Sequence, residues 1–409
     1  MTQLCPYPPL SGSAIKTYNI LKHLSLRHEI NLLTFIRGEG EIRFISHLSK
    51  YCRQVDFCTI KRSKGLNLIH AAKSLLAAES FIITRDYHPR MRAKTLDLLK
   101  DKPDLIYADH LQMFQFVPRP APCPVLLDDH NVEWRIIERF ASTGASRVQR
   151  LFAALEWGKL RAYELDACRR AALVLTVTPQ DKDVLVSNGI SAEKVFPLPV
   201  GVDTDWLKPI QLAAESKKVL MLGTMSWPPN ADAVTYFVKA IYPLIKGEIP
   251  EVRFAVVGAN PPRAIRALGR LDSSIEIAGY VEDIRAAVES IGVFVVPLRI
   301  GSGMRVKILD AMALGLPIVT TSIGCEGILL TPGEHALVAD NPAEFANAVV
   351  RLLRNYDERV RLGSAGRGLV EKLYSWPSIL DRLDRILSYS LSVFPLSDGI
   401  PPEAGRVES

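Results

Sequence analysis

Residues 301–317 read Gly-Ser-Gly-Met-Arg-Val-Lys-Ile-Leu-Asp-Ala-Met-Ala-Leu-Gly-Leu-Pro, and they combine the residue types that grip a phosphate. Gly301, Ser302 and Gly303 form a small-residue turn after the apolar run Val293 to Leu298, and an amphipathic helix over Met304–Leu314 follows. Glycines let backbone N–H groups approach an anion, and the start of a helix adds partial positive charge. Arg305 and Lys307 bring two cations to that turn, and Asp310 lies about 1.5 turns further along the helix. The pattern suits the diphosphate of a nucleotide, with a carboxylate nearby for a sugar hydroxyl.

Weaker candidates lie elsewhere. The loop Tyr7 to Ser13 precedes a helix, so Gly12 and Ser13 make either a second anion cradle or a proline-rich turn capped by Ser13. Gly223 to Asn230 reads as strand, small-residue turn, then a helix starting near Asn230 or Asp232; Thr224 and Ser226 either donate to phosphate or cap the turn. Glu326, in Gly324-Cys325-Glu326-Gly327, reaches the same pocket or is a surface glutamate. His130 ends the strand Val125–Asp129, a place where α/β proteins put functional groups, although a lone histidine is more often structural. Asp203-Thr204-Asp205 spells D-x-D in a linker, and Asp128-Asp129-His130 lacks a third ligand at helix spacing, so neither makes a strong metal site. Dinucleotide oxidoreduction and P-loop chemistry lose their main support, because no G-x-G-x-x-G follows the first strand and no G-x-x-x-x-G-K-[ST] occurs.

Two series of alternating strands and helices position these residues. The first has strands at Asn31–Phe35, Val55–Ile60, Leu105–Ala108, Val125–Asp129 and Leu173–Thr178, with helices at Ser13–Arg27, Arg90–Lys100 and Ser146–Arg170. The second has strands at Lys218–Gly223, Val252–Gly258, Ile275–Ala278, Val293–Leu298, Ile318–Thr321 and Ala336–Ala339. Its helices are Asp232–Ile245, Ile284–Ser290, Met304–Leu314, Pro342–Arg354 and Glu358–Lys372, and a last helix spans Ser378–Leu391. Such alternation predicts two doubly wound α/β domains with a cleft between them, where strand ends collect ligands. Prolines and Gly201 between Phe196 and Pro209 mark the seam. The expected division is 1–199 with a crossover helix at 376–396, 200–375, and a disordered tail at 397–409.

At 409 residues, with 48% apolar and 23% charged residues, the composition is globular. No apolar run spans a bilayer, no secretory signal is visible, and six cysteines lack C-x-x-C spacing, which fits a reducing cytoplasm. Residues 1–200 carry 28 Lys+Arg against 20 Asp+Glu, and the remainder carries 22 against 24. Much of the excess lies between Lys50 and Lys100, including Lys61, Arg62, Lys64, Arg85, Arg90, Arg92 and Lys94. That stretch is either a solvated face or a surface for an anionic membrane or acceptor; nucleic acid is not expected, since no module for it accompanies the charge.

The blocks GTMSWPPNADA, VVGANPP, GYVEDIR, VPLRIGSGMRVKILDAMALGLPIVTTSIGCEG, HALVAD and YSW, in this order, resemble the retaining group 1 glycosyltransferases of family 4. The resemblance covers nearly the whole chain and implies the GT-B fold, two Rossmann-like domains with a C-terminal helix crossing back to the first. It implies a cytoplasmic, metal-independent transferase, peripheral on the inner membrane face, that needs no cofactor. It would move a sugar from a nucleotide diphosphate donor to a carbohydrate or lipid-linked acceptor in cell-envelope or exopolysaccharide synthesis. The family's two glutamates eight positions apart map to Ser302 and Asp310, and its usual Arg and Lys after the first strand map to Thr224 and about Pro229, so Arg305 and Lys307 are expected to supply the charge. The resemblance places His130 at the donor sugar, Gly12 and Ser13 at the diphosphate, and the backbone of Tyr280 and Val281 at the base, with Gly301, Gly303 and Met304 lining the turn. The block DHNVEWR from Asp129, Glu156-x-x-Lys159 and Tyr163-Glu164 belong to the same likeness. Before the Pro-Tyr-Pro-Pro turn the family has a full apolar strand, whereas Met1 to Cys5 stand here; either a very short strand or a late start is expected, and a lost central strand would expose sheet edges. A non-catalytic nucleotide-sugar-binding scaffold, suggested by Ser302, and a GT-B nucleotide-sugar epimerase are the alternative functions.

Overall fold

The computed structural model describes residues 1–60, 74, 77–143, 147–281, 283–301 and 303–393. Ser302, Lys61, Arg62, Lys64 and the tail 397–409 therefore lie outside the described residues. The chain divides into two compact units, residues 1–198 with 381 onward, and residues 199–380.

The first unit runs α1 (Gly12–Leu24), β1 (Asn31–Ile36), β2 (Gln54–Thr59), α2 (Pro89–Leu98), β3 (Ile106–Asp109), β4 (Val125–Asp129), α3 (Glu133–Thr143), α4 (Arg147–Arg170), β5 (Leu173–Thr176) and β6 (Val195–Pro197). All pairings are parallel, in the orders β2-β1 and β3-β4-β5-β6. Every residue of β4 and β5 is buried, as expected for parallel strands covered on both faces. Thr2 bridges the two groups of strands, facing Thr34 on one side and Asp109 on the other.

The second unit runs β7 (Lys218–Leu222), α5 (Pro228–Tyr236), β8 (Arg253–Val257), β9 (Ile275–Gly279), β10 (Val293–Val296), α6 (Val306–Ala313), β11 (Ile318–Thr320), β12 (Leu337–Val338), α7 (Pro342–Arg354) and α8 (Tyr356–Leu373). The last helix, α9 (Trp376–Val393), begins in this unit and continues in the first. The sheet is parallel, in the order β12-β11-β10-β7-β8-β9. Since β7 comes first in the chain, strand order reverses between β7 and β10, and that is where a doubly wound sheet opens a ligand crevice at its carboxyl edge.

Sequence periodicity locates every strand of this sheet to within a few residues. α3 and the helix Arg263–Leu271 are not among the expected helices, although both are amphipathic at helical spacing. The helix expected over 232–245 begins earlier, at Pro228, because proline is well accommodated in a first turn. It then widens into a π-turn at Phe237–Ile241 before a helix over Tyr242–Glu248. Pro243 lacks the N–H of a regular turn, and the wider turn accommodates it.

Candidate functional site

The phosphate-type turn sits at the switch point. It links β10 to α6, and the neighbouring strand β7 ends at Leu222, just before Gly223. Lys307, in the first turn of α6, reaches across and donates to the Leu222 carbonyl at 2.7 Å and to Asn230 Oδ1 at 2.8 Å. Asn230 Nδ2 in turn donates to the Thr224 carbonyl at 2.9 Å, so one buried amide ties the lysine to the loop after β7. Gly223, at φ 156°, makes room: a Cβ there would stand 2.6 Å from Lys307 Nζ. Gly301, at φ 152°, likewise lies against the Arg305 guanidinium, which donates to the Gly303 carbonyl.

Charge is held under strain here. Burial, then the neighbouring Arg305, lowers the Lys307 ammonium to about 7. Burial raises the Asp310 carboxyl to about 7. Solvent still touches both side chains at their edges, and the surrounding protein removes the rest of their hydration. Both groups are thus poised at neutral pH, a feature of sites built to accept a charged ligand.

The remaining expected residues of this unit fall at the same carboxyl edge of the sheet. Thr224 and Ser226 are exposed in the loop after β7, and Met304 is half-buried beside the turn. Tyr280 is exposed and Val281 half-buried after the edge strand β9. Glu326 is half-buried in the turn after β11, which Thr321 Oγ1 secures by accepting from the Gly324 N–H and donating to the Leu298 carbonyl. Asp203 instead accepts from the N–H groups of Asp205 and Trp206, so its D-x-D forms a turn.

In the first unit His130 follows β4 and meets a partner that sequence spacing missed. Its Nε2 lies 2.8 Å from Asp109 Oδ1, while His110 Nδ1 lies 3.1 Å from Asp109 Oδ2. The two imidazoles stack with centroids 3.9 Å apart and planes 5° from parallel. Burial would raise Asp109, but the imidazoles hold it well below the usual carboxylate range. Burial lowers His110, and Asp109 outweighs it, whereas burial and the His110 charge together lower His130. The two shifts run in opposite directions, so His110 takes up a proton more readily than His130. Asp109, His110 and His130 are near enough to share a metal ion. Parallel stacked rings, however, cannot both aim an in-plane lone pair at one ion about 2 Å away. The signal that could have found this pair was the Asp-His at the end of β3, at the same strand-end position as His130.

α1 carries the rest of the network. Thr17 donates to Asp109, and the fully buried Lys16 pairs with Asp128 at 2.6 Å while Tyr107 donates to the other oxygen of Asp128 at 2.7 Å. The helix is capped by Ser11, which accepts from the Ala14 N–H; the cap expected of Ser13 belongs to Ser11, because the helix starts one residue earlier, at Gly12. Gly12 and Ser13 lie in its first turn, half-buried.

The familiar acidic residues of α4 serve as structural pins. Glu156 accepts from Ser74, Ser80 and the Phe81 N–H, and Lys159 donates to the Ser74 carbonyl. Glu164 accepts from the N–H groups of Glu133 and Trp134 at the start of α3. Burial, then Glu133, pushes Asp129 well above the usual range; burial, then Asp129, does the same to Glu164. Groups raised in the folded state stabilise it below the ordinary carboxylate pKa, and that contribution is lost as pH rises through the raised values. Asp129→Asn is therefore expected to leave the melting temperature nearly unchanged at about pH 4, near the ordinary carboxylate pKa, and to flatten its fall from there toward about pH 9. Calorimetric melts across that range check this; an unchanged slope would be the contrary result.

Comparison with known proteins agrees with this architecture. Residues 216–355 match the family described as glycosyl transferases group 1. A Klebsiella pneumoniae protein, "Uncharacterized 44.6 kDa protein in cps region", is 21% identical over 364 residues, covering 86% of this chain and 89% of its own. The phosphatidyl-myo-inositol mannosyltransferase of Mycobacterium leprae is 30% identical over 198 residues, 46% of this chain and 52% of that protein. The chain thus spans about half the length of that mannosyltransferase. The crystal structure of Anabaena HepE in complex with UDP-glucose superposes with a TM-score of 0.65 at 15% identity, covering 95% of this chain and 99% of that one. The fold is GT-B, with two Rossmann-like domains. The family match lies within the second unit. Among the described residues no helix is long and apolar enough to cross a membrane.

Proposed function

We propose that the chain is a retaining, metal-independent glycosyltransferase that moves a sugar from a nucleoside diphosphate donor to a carbohydrate or lipid-linked acceptor. The observation that carries this reading is the Lys307 ammonium, brought from α6 to the end of β7 beside Gly223. A cation there stands where group 1 relatives are expected to carry basic residues on the β7 loop. Expelling a diphosphate requires stabilising its negative charge, and two fixed cations with a helix N-terminus do so electrostatically. In this reading Arg305 and Lys307 hold the leaving diphosphate, aided by the Gly301–Met304 backbone and the Thr224 and Ser226 hydroxyls. Asp310 accepts from the ribose hydroxyls, Glu326 contacts the donor, and the backbone at Tyr280 and Val281 meets the base. His130, oriented by Asp109, contacts the sugar, with Gly12 and Ser13 near the diphosphate. Residues 1–200, with their excess of basic side chains, would face a lipid-linked or polyanionic acceptor at a membrane in cell-envelope synthesis.

Thermal stabilisation by UDP-, GDP- and ADP-sugars, with and without EDTA, tests this. At about 100 times Kd, one donor should add roughly 2.7 kcal/mol, unaffected by EDTA. No shift from any donor, in folded protein, would sink the reading; donor turnover without an acceptor would point to an epimerase. The titrating pair adds a pH signature. Above about 7 Lys307 loses the charge that holds diphosphate, and below about 7 Asp310 takes up a proton and no longer accepts strongly. UDP affinity, measured by calorimetry from pH 5.5 to 9, is expected to peak near pH 7, and Asp310→Asn should remove its acid limb. A flat profile in the unaltered protein would contradict both assignments.

A further inference from the structure

Helix α4 carries its polarity the wrong way round for a surface helix, which normally buries its apolar stripe and leaves its charges in water. The acidic residues between Arg147 and Leu165 are Glu156 and Glu164, and both are buried. Val148, Leu151 and Leu155 stand in solvent instead, at 78%, 65% and 50% exposure. Spaced three and four residues apart, they share one stripe about 10 Å long. Gly158 and Ala162 continue it, exposed and too small to cover it. The roll of the helix is fixed from the inner side, where Glu156 accepts from Ser80 and the Phe81 N–H and Glu164 accepts from the N–H groups of Glu133 and Trp134. The apolar stripe is therefore held outward rather than free to turn in.

The charge beside the stripe has one sign. From Arg147 to Ala162 the exposed charged residues are Arg147, Arg150 and Arg161, which helical spacing sets along one flank of the stripe. Phe140 of α3 is exposed as well. Because Glu164 pins the start of α3 and the chain returns its end to the start of α4, Phe140 adds apolar surface at the Val148 end of the pair. An exposed apolar patch with a charged rim marks a contact surface, and here the rim calls for an anionic partner. A second copy would bring the same arginines to the contact, with no exposed carboxylate on the stripe to receive them. The outer face of a single helix is also a convex ridge, around which fluid acyl chains close while anionic headgroups meet the flanking arginines.

We propose that the outer face of α4 docks on an anionic lipid bilayer, with Val148, Leu151 and Leu155 entering the acyl boundary and Arg147, Arg150 and Arg161 lying among the headgroups. The inference deepens the membrane-facing part of the reading above and rests on it for its role; its assay contains no donor sugar, so its outcome is separate from that of the donor titration. The full chain is sedimented with phosphatidylcholine vesicles containing about 30% phosphatidylglycerol, at about 0.1 M salt. Binding is expected to exceed that to pure phosphatidylcholine at least tenfold. Leu151→Ser with Leu155→Ser, and separately Arg147→Gln with Arg150→Gln, should each weaken it about tenfold or more. Their melting temperatures should stay within about 2 °C of the parent, because these side chains are exposed. In the unaltered chain the same vesicles should slow amide hydrogen exchange over residues 147–158. Equal binding to both kinds of vesicle, variants that bind like the parent, or unchanged exchange over that segment would overturn the proposal. A mass that doubles with protein concentration in the absence of vesicles, and reverts in the double serine variant, would also overturn it and give the stripe to a second copy.

Discussion

Lys307→Met is expected to lower kcat/KM for sugar transfer by about 10²–10³-fold, with a matching loss of UDP affinity and no loss of folding. The reason is geometric. The Lys307 ammonium is held by two acceptors, the Leu222 carbonyl and Asn230, and it lies against Gly223, where a Cβ would crowd it. A methionine of similar length keeps the apolar packing and removes the charge. Because the ammonium is already lowered to about 7, removing it relieves a buried cation and the melting temperature of the free protein should hold or rise. UDP titration and steady-state rates on the same preparation check both parts. Unchanged UDP affinity would move the diphosphate away from this turn.

The largest expected stability effect is in the first unit. Lys16→Met leaves the buried Asp128 carboxylate with the Tyr107 hydroxyl and with His130 Nε2 at 3.8 Å, and breaking a buried pair from one side typically costs about 3–5 kcal/mol. Thermal melts should show a fall of roughly 6–20 °C in that unit. Removing both charges, in Lys16→Met with Asp128→Leu, should recover most of the loss, since no uncompensated charge then remains. If the single variant melted with the parent, the pair would have no structural role.

Much of this molecule could be read from periodicity. The strands at Val125–Asp129 and Val293–Leu298 stand out as apolar runs because parallel strands are buried on both faces, and the core does bury Leu126, Leu127, Phe294 and Val295 completely. Helix α7 begins and ends as its sequence indicates, with Asn341 accepting from Glu344 and proline in the first turn. The contacts of Asn230, Lys16 and the Asp109–His110 pair are not legible in this way, because each joins elements far apart in the chain. A proline-broken helix such as that at Pro243 also departs from simple periodicity, since the missing N–H has to be absorbed somewhere in the turn.

The amino-acid sequence by itself determined two alternating α/β halves and the start of α6 just after Arg305, because hydrophobic period and turn chemistry act over a few residues. Only the tertiary structure decided that Lys307 would meet Leu222, 85 residues away, and that His110 and His130 would stack on a shared Asp109. Strand order places β7 beside β10 and β3 beside β4, and this brings groups distant in the chain into the same buried space.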